Sequence, residues 1–344
     1  SPFYSCELFG VHFIRILFCS GFLNLNIGFY AIILFEIYAF FYNLYKIIKD
    51  KKILKNNIFT TGFIFFSLAY IFVIIINKDR LITDWDGFTH WALVVKNMLI
   101  YKNFGLGENS TVVAKSYLSG NGLFQYFIMK INGGFKEEFL FLGLNVTTIS
   151  ILIVIFKNII NKKKISSYLL FVIVFLLPTI FFEDNYTYNY YNSVYIDGLL
   201  GLAFTYTLYT YYTIKNYNDL FYYINMAVSF SMLILIKDFG VILSIIALLI
   251  IVIDSIFINE KFNFRWKYIR KKLKEILLII FPAIIIKSAW IIFVSSVNKI
   301  YVEGTNNAID VVKRFLTFNI KSEDLVVIKN FIEANDTPKT DKTI

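Results

Sequence analysis

Charge is scarce in this sequence: of its 344 residues only 17% are Asp, Glu, Lys or Arg, against roughly 25% in a soluble domain. That scarcity excludes an ordinary water-soluble globule, because a soluble surface needs more ionised side chains than this chain supplies. Histidine is rarer still, with His12 and His90 the two copies. The two cysteines, Cys6 and Cys19, sit near the N-terminal apolar stretch without metal-ligand spacing, and read as ordinary apolar residues. Of four prolines, Pro178 and Pro282 alone fall inside long apolar runs. A transporter built on Pro-interrupted helices with polar groups at mid-bilayer would show more of both.

What is present is apolar side chain. Hydrophobic residues make up 58% of the chain, with 38 Phe and 24 Tyr. The net charge of +10 does not point to nucleic acid, because the Lys and Arg residues gather in short loops between apolar runs, where the positive-inside rule accounts for them.

A helix needs about 20 apolar residues to cross a hydrocarbon core of about 30 Å. Runs approaching that length lie near 27–46, 58–77, 139–156, 167–182, 197–214, 220–236, 239–257 and 276–296. A weaker ninth run, 8–22, is interrupted by His12 and Arg15. The expectation is an all-α, polytopic integral membrane protein with about eight or nine transmembrane helices.

Basic clusters at Lys46–Lys55, Lys157–Lys164 and Lys261–Lys274 fall on one side of eight such spans, and that side is assigned to the cytoplasm of the cell membrane. The other face receives segment 78–138, loop 183–196, the turn at Lys237 and Asp238, and tail 297–344. Residues 1–296 thus form the transmembrane region, and 297–344 an extracytoplasmic tail with amphipathic stretches near 306–318 and 322–334. An opening Ser1 and a polar end read as a piece of a longer protein.

Segment 78–138 carries the polar residues that topology leaves unexplained. From Phe88 the positions Phe88, Trp91, Ala92, Val95 and Leu99 recur at helical spacing, which predicts an amphipathic helix lying at the interface. Thr83 or Asp84 is a plausible N-cap. On an α-helix Asp86 and His90 stand four residues apart on one face, with Asn97 near the same meridian. The alternative is that Asp84 and Asp86 merely cap the helix and favour its N-terminal dipole. Farther on, Gly120 and Gly122 either bring backbone close to a ligand or make a turn. Asp197 starts a later span, where an acid is usually a cap, and Lys237 stands at a turn where an ammonium can meet a phosphate.

The stretches Asp84-Trp85-Asp86-Gly87-Phe88-Thr89-His90-Trp91, Ser116-Tyr117-Leu118-Ser119-Gly120 and Leu123-Phe124-Gln125-Tyr126 resemble the first outer loop of the GT-C class of membrane glycosyltransferases. That class includes protein O-mannosyltransferases and aminoarabinose transferases. Asp197-Gly198-Leu199-Leu200 and Lys237-Asp238-Phe239-Gly240 are similar to later features of the class, and the similarity extends over about residues 58–257. Relatives often carry Asp-Glu where Asp86-Gly87 stands here, and Pro-Pro where Leu118-Ser119 stands.

The resemblance implies transfer of a sugar from a polyprenyl-phosphate carrier to a glycan, lipid or protein acceptor of the cell envelope. Asp84 or Asp86 would be the catalytic acidic residue, acting as the base that takes the acceptor's proton, with His90 beside it. Lys237, with Arg80, Lys115, Tyr117 and Asp197, would be on the substrate side. No cofactor is demanded. A divalent cation, Mg²⁺ or Mn²⁺, held by Asp84, Asp86 and Asp197 is chemically coherent because hard cations take oxygen ligands, and the sequence leaves it open. The competing class is a non-enzymatic polysaccharide exporter or lipid flippase, which would line a path with mid-span charges such as Glu36 and Lys287. The enzyme reading requires Asp84 or Asp86, Asp197 and Lys237 to meet at one cavity.

Overall fold

The structure is a computed structural model that describes residues 16–49, 61–107, 110–113, 115, 117–118, 120–157, 165–176, 190–214, 219–258 and 266–297. By contacts the chain divides at Phe293 into two units. The first holds every element discussed below, and the described part of the second is the last four residues of the final helix. The expected stretches 8–15, 183–189 and 298–344, with basic positions 51–55, 162–164, 261 and 265, lie outside the described residues.

Among the described residues every regular element is helical, as the long apolar runs without period-two alternation predict. Residues 16–21 are helical. Ten helices follow: α1 Leu25–Lys49, α2 Thr61–Asn77, α3 Ala92–Tyr101, α4 Gly120–Ile131, α5 Glu138–Lys157, α6 Ile165–Leu176, α7 Asp197–Ile214, α8 Asp219–Ile236, α9 Phe239–Ile253 and α10 Trp266–Val297. Three of these are long and apolar enough to cross a membrane, in the windows Leu25–Lys49, Glu138–Ile155 and Arg270–Val297. Segments Gly62–Asn77, Leu220–Ile236 and Phe239–Ile253 are apolar but shorter. At 1.5 Å per residue α2 is only about 26 Å long. Helices thus stand where the eight apolar runs predict them, while three meet the length and composition of a span.

α5 is the centre of the assembly. Its window is 67% buried, against 22% for the windows of α1 and α10. One side of α5 packs Leu144, Ile151 and Val154 against Leu199, Leu200 and Ala203 of α7 and Val228 and Met232 of α8. Another side packs Leu142, Ile149 and Ile153 against Ala69 and Val73 of α2 and Phe171 and Phe175 of α6. A helix covered on two sides has no polar face to display, which is why its apolar residues show no stripe. A short 3₁₀ turn, Tyr190–Asn192, closes the second cluster: the Tyr191 hydroxyl donates to the Phe175 carbonyl at 2.6 Å, and Asn145 Nδ2 donates to the Tyr191 carbonyl at 2.6 Å.

Glycines set the closest approaches. A Cβ on Gly120 would lie 2.6 Å from the Leu235 carbonyl oxygen, so α4 starts directly against the last turn of α8. A Cβ on Gly240 would overlap the Leu233 carbonyl oxygen across the α8–α9 turn. Gly120 is therefore a helix-packing contact, a third reading beside the ligand approach and the turn. Gly201, inside α7, has open space around its missing Cβ. Gly240→Ala is expected to destabilise the fold by about 1–3 kcal/mol through overpacking. Gly201→Ala is expected to stabilise it by up to about 1 kcal/mol through helix propensity. Thermal unfolding of the two purified variants in detergent micelles, with Tm moving in opposite directions, checks this pair.

Candidate active site

The site is built at the end of the assembly where α7 begins and α8 ends. The α8–α9 turn is tight, with Gly240 and Val241 N–H donating to the Lys237 and Asp238 carbonyls at 2.8 and 3.0 Å. Its two charged residues part to opposite sides. Lys237 Nζ reaches Asp197 Oδ1 at 2.7 Å, at the first residue of α7. Asp238 Oδ1 accepts from Lys287 Nζ of α10 at 2.5 Å. The Lys237–Asp197 pair is largely exposed on the carboxylate side, at 63%, so it adds little stability, on the order of 0–1 kcal/mol. Its effect is positional, since it fixes where the ammonium stands. The pairing of Lys287 also accounts for a mid-helix charge that a conduction path would otherwise have to use.

The acidic segment enters the same region through an unusual turn. Residues Gly87–Trp91 form a π-helical turn, closed by the Ala92 N–H donating to the Gly87 carbonyl. Such wide turns inside α-helices frequently mark functional positions. Asp84 caps it: Oδ1 accepts from the Gly87 N–H at 2.6 Å. A Cβ on Gly87 would lie 2.5 Å from Ile82 Cγ2 and 2.7 Å from Asp84 Oδ1. Glycine at 87 is thus what the capped turn requires. Burial of the Asp84 carboxyl raises its pKa, against the lowering effect of the Gly87 hydrogen bond. Asp86 is exposed.

The expected pairing of Asp86 with His90 does not form. α-Helical spacing put both on one face, but the π turn intervenes and His90 turns inward, 5% exposed. Both its ring nitrogens are buried without a hydrogen-bond partner among the described residues. The imidazole instead stands edge-on to Trp91, with centroids 4.4 Å apart, and to Tyr117 at 5.5 Å. Burial, then the positive charge of Lys237, lower its pKa to about 4, so it is neutral at physiological pH. Asn97, expected near the same meridian, serves the loop: Nδ2 donates to the Gly105 carbonyl at 3.3 Å and to Ser110 Oγ at 3.2 Å.

The other candidates are used differently. The Arg80 guanidinium lies over the Phe141 ring at 6.0 Å. Its neighbours Asp79 and Ile82 donate backbone N–H groups to Glu138 and Glu137 at 2.9 and 2.6 Å, tying that strip to the start of α5. Lys115 Nζ donates to the Gly107 carbonyl at 3.4 Å. Ser116 and Ser119 lie outside the described residues. Among the described residues no three His, Cys, Asp or Glu side chains are grouped to hold a metal ion. A narrow cleft has Trp91, Asn121, Gln125, Ile196 and Ile236 among its walls. Three of its lining residues adjoin candidate site residues in the chain: Trp91 follows His90, Ile196 precedes Asp197 and Ile236 precedes Lys237. Asn121 was visible in the sequence only as the centre of Gly120-Asn121-Gly122, a polar residue framed by two glycines on a helix start.

No family model, no curated protein and no solved structure matches the chain.

The buried imidazole makes stability depend on pH in a defined direction. With a folded pKa of about 4 below the ordinary 6.5, neutral His90 contributes stability that is fully present above pH 6.5 and is lost as pH falls toward 4. The gap corresponds to about 3 kcal/mol. Asp84, whose pKa is raised, works in the opposite sense on acidification. The difference in Tm between wild type and His90→Phe therefore isolates the imidazole, and is expected to shift in favour of the variant as pH drops from 6.5 to 4.

Proposed function

We propose that this is a multi-span membrane enzyme of the GT-C type, transferring a sugar from a polyprenyl-phosphate carrier to a cell-envelope acceptor on the extracytoplasmic face. In this reading the eight or nine apolar helices all lie in the cell membrane, the basic loops are cytoplasmic, and segment 78–138 and tail 297–344 face outward. The observation that carries it is the meeting of three distant segments: Lys237 is ion-paired to Asp197, and Trp91, Ile196 and Ile236, the chain neighbours of His90, Asp197 and Lys237, wall one cleft.

The chemistry follows from which groups are already engaged. Asp84 is bound to the Gly87 N–H, whereas Asp86 is exposed and has no hydrogen bond or ion pair among the described residues. Asp86 is therefore the general base that takes the proton of the acceptor hydroxyl. The acceptor oxygen attacks the anomeric carbon as the bond from that carbon to the phosphate oxygen breaks, and the carrier phosphate leaves with the electron pair. Lys237, in reach of Asp197 and with a flexible stem, meets the growing negative charge on that phosphate. Asp84 is a positioning residue that holds the turn.

Asn caps a helix as well as Asp, so Asp84→Asn preserves the turn. Asp86→Asn is expected to lower transfer about 100-fold or more, the usual range for losing a general base, with Asp84→Asn within about tenfold of wild type. Initial rates with a labelled polyprenyl-phosphate sugar, at equal levels of protein in the membrane, measure both. Full activity in both variants refutes the assignment.

A further inference from the structure

Asn121 stands between two narrow clefts. The first is walled by Trp91, Val194, Ile196 and Ile236; the second is walled by Gly120, Thr147, Leu199, Met232 and Leu235. Each has room for about one water-sized group. Asn121 is 6% exposed, and its Oδ1 has no hydrogen-bond partner among the described residues. Its neighbour Gln125 differs, because Nε2 donates to the Leu140 carbonyl at 2.8 Å and so serves the packing of α4 on α5. An amide oxygen buried without a partner is destabilising. A side chain kept in that state at a cleft calls for a ligand atom to complete it.

We propose that Asn121 binds the group the carrier delivers, that one uncharged hydroxyl of that group enters the cleft, and that the sugar is accordingly neutral rather than acidic or aminated. This rests on the carrier-dependent reading above and adds to it the class of sugar and the residue that reads it. Three observations point the same way. An amide offers a donor and an acceptor together, which matches a hydroxyl; a carboxylate only accepts and an ammonium only donates. No charged side chain lines either cleft, so a charged substituent there would be desolvated without a counter-charge. The Trp91 ring, which lines the first cleft, and the Tyr117 ring stand 6.3 Å apart and tilted by 30°, an apolar wall suited to the C–H face of a sugar ring.

The test is equilibrium binding to the full chain in lipid nanodiscs. The probes are a short polyprenyl phosphate, the same carrier bearing a neutral hexose, and the carrier bearing a hexuronic acid. Wild type is expected to bind the hexose form at least tenfold more tightly than the bare carrier, and the hexuronic form no better than the bare carrier. Asn121→Leu is expected to erase the hexose advantage, to leave bare-carrier binding unchanged and to melt at a higher temperature. If the Leu variant does not fold, Asn121→Ala must show the same loss. A hexose advantage that survives in the variant, or equal binding of the acidic sugar, overturns the proposal, as does a wild type that binds carrier but ignores the sugar. A wild type that binds no carrier form at all overturns the carrier-dependent reading, and this inference with it.

Discussion

An apolar helix cannot count on water to satisfy its polar atoms, and that constraint orders the whole molecule. Six hydroxyls of α2, α5, α7, α8 and α9 answer it locally: Ser67, Thr148, Thr207, Ser229, Ser231 and Ser244 each donate to the carbonyl four residues back, at 2.6–3.0 Å. Such bonds let Ser and Thr sit inside buried interfaces without requiring a partner helix. Asn77 does the same, donating to the Val73 carbonyl at 3.0 Å. Against that background a buried polar atom without a partner among the described residues stands out, as both ring nitrogens of His90 and Asn121 Oδ1 do.

The site depends on α5 although α5 contributes no catalytic group. With both of its sides covered, it fixes α7 and α8 on one flank and α2 and α6 on the other. Its first residue, Glu138, and Glu137 just before it hold the backbone that leads into the Asp84 turn. The same helix thus positions the two halves of the site, one by apolar packing and one by carboxylate to N–H bonds. An aromatic cluster of Phe18, Phe22, Phe104, Trp290 and Phe293, with centroids 5.0–6.3 Å apart, joins α10 to the loop after α3 and the helical segment before α1.

Much of the helical layout was legible because it rests on long apolar runs. Start points such as Asp197 and the polar break at Lys237 and Asp238 were readable for the same reason: charge interrupts the run where the chain turns. The N-cap at Asp84 followed from its residue type. What the periodicity missed is local and geometric. One π turn is enough to break the four-residue alignment of Asp86 with His90, and it leaves no compositional trace beyond Gly87. The Lys287–Asp238 pair spans 49 positions, which no pattern within a window can reach. Asn121 sat in view, but its meaning lies in the absence of a bonding partner, a property of the folded surroundings alone.

The last turn of α8 is gripped from two sides, by Gly120 at the Leu235 carbonyl and by Gly240 at the Leu233 carbonyl. Backbone pressed against backbone leaves that turn no room to slide or rotate, so whatever travel the Lys237 ammonium has must come from its own four-carbon stem. The mount is stiff and the arm is supple. Under the proposed sugar-transfer reading, attempts to re-engineer ligand choice are best aimed at side chains around the arm, with the two glycines left as they are.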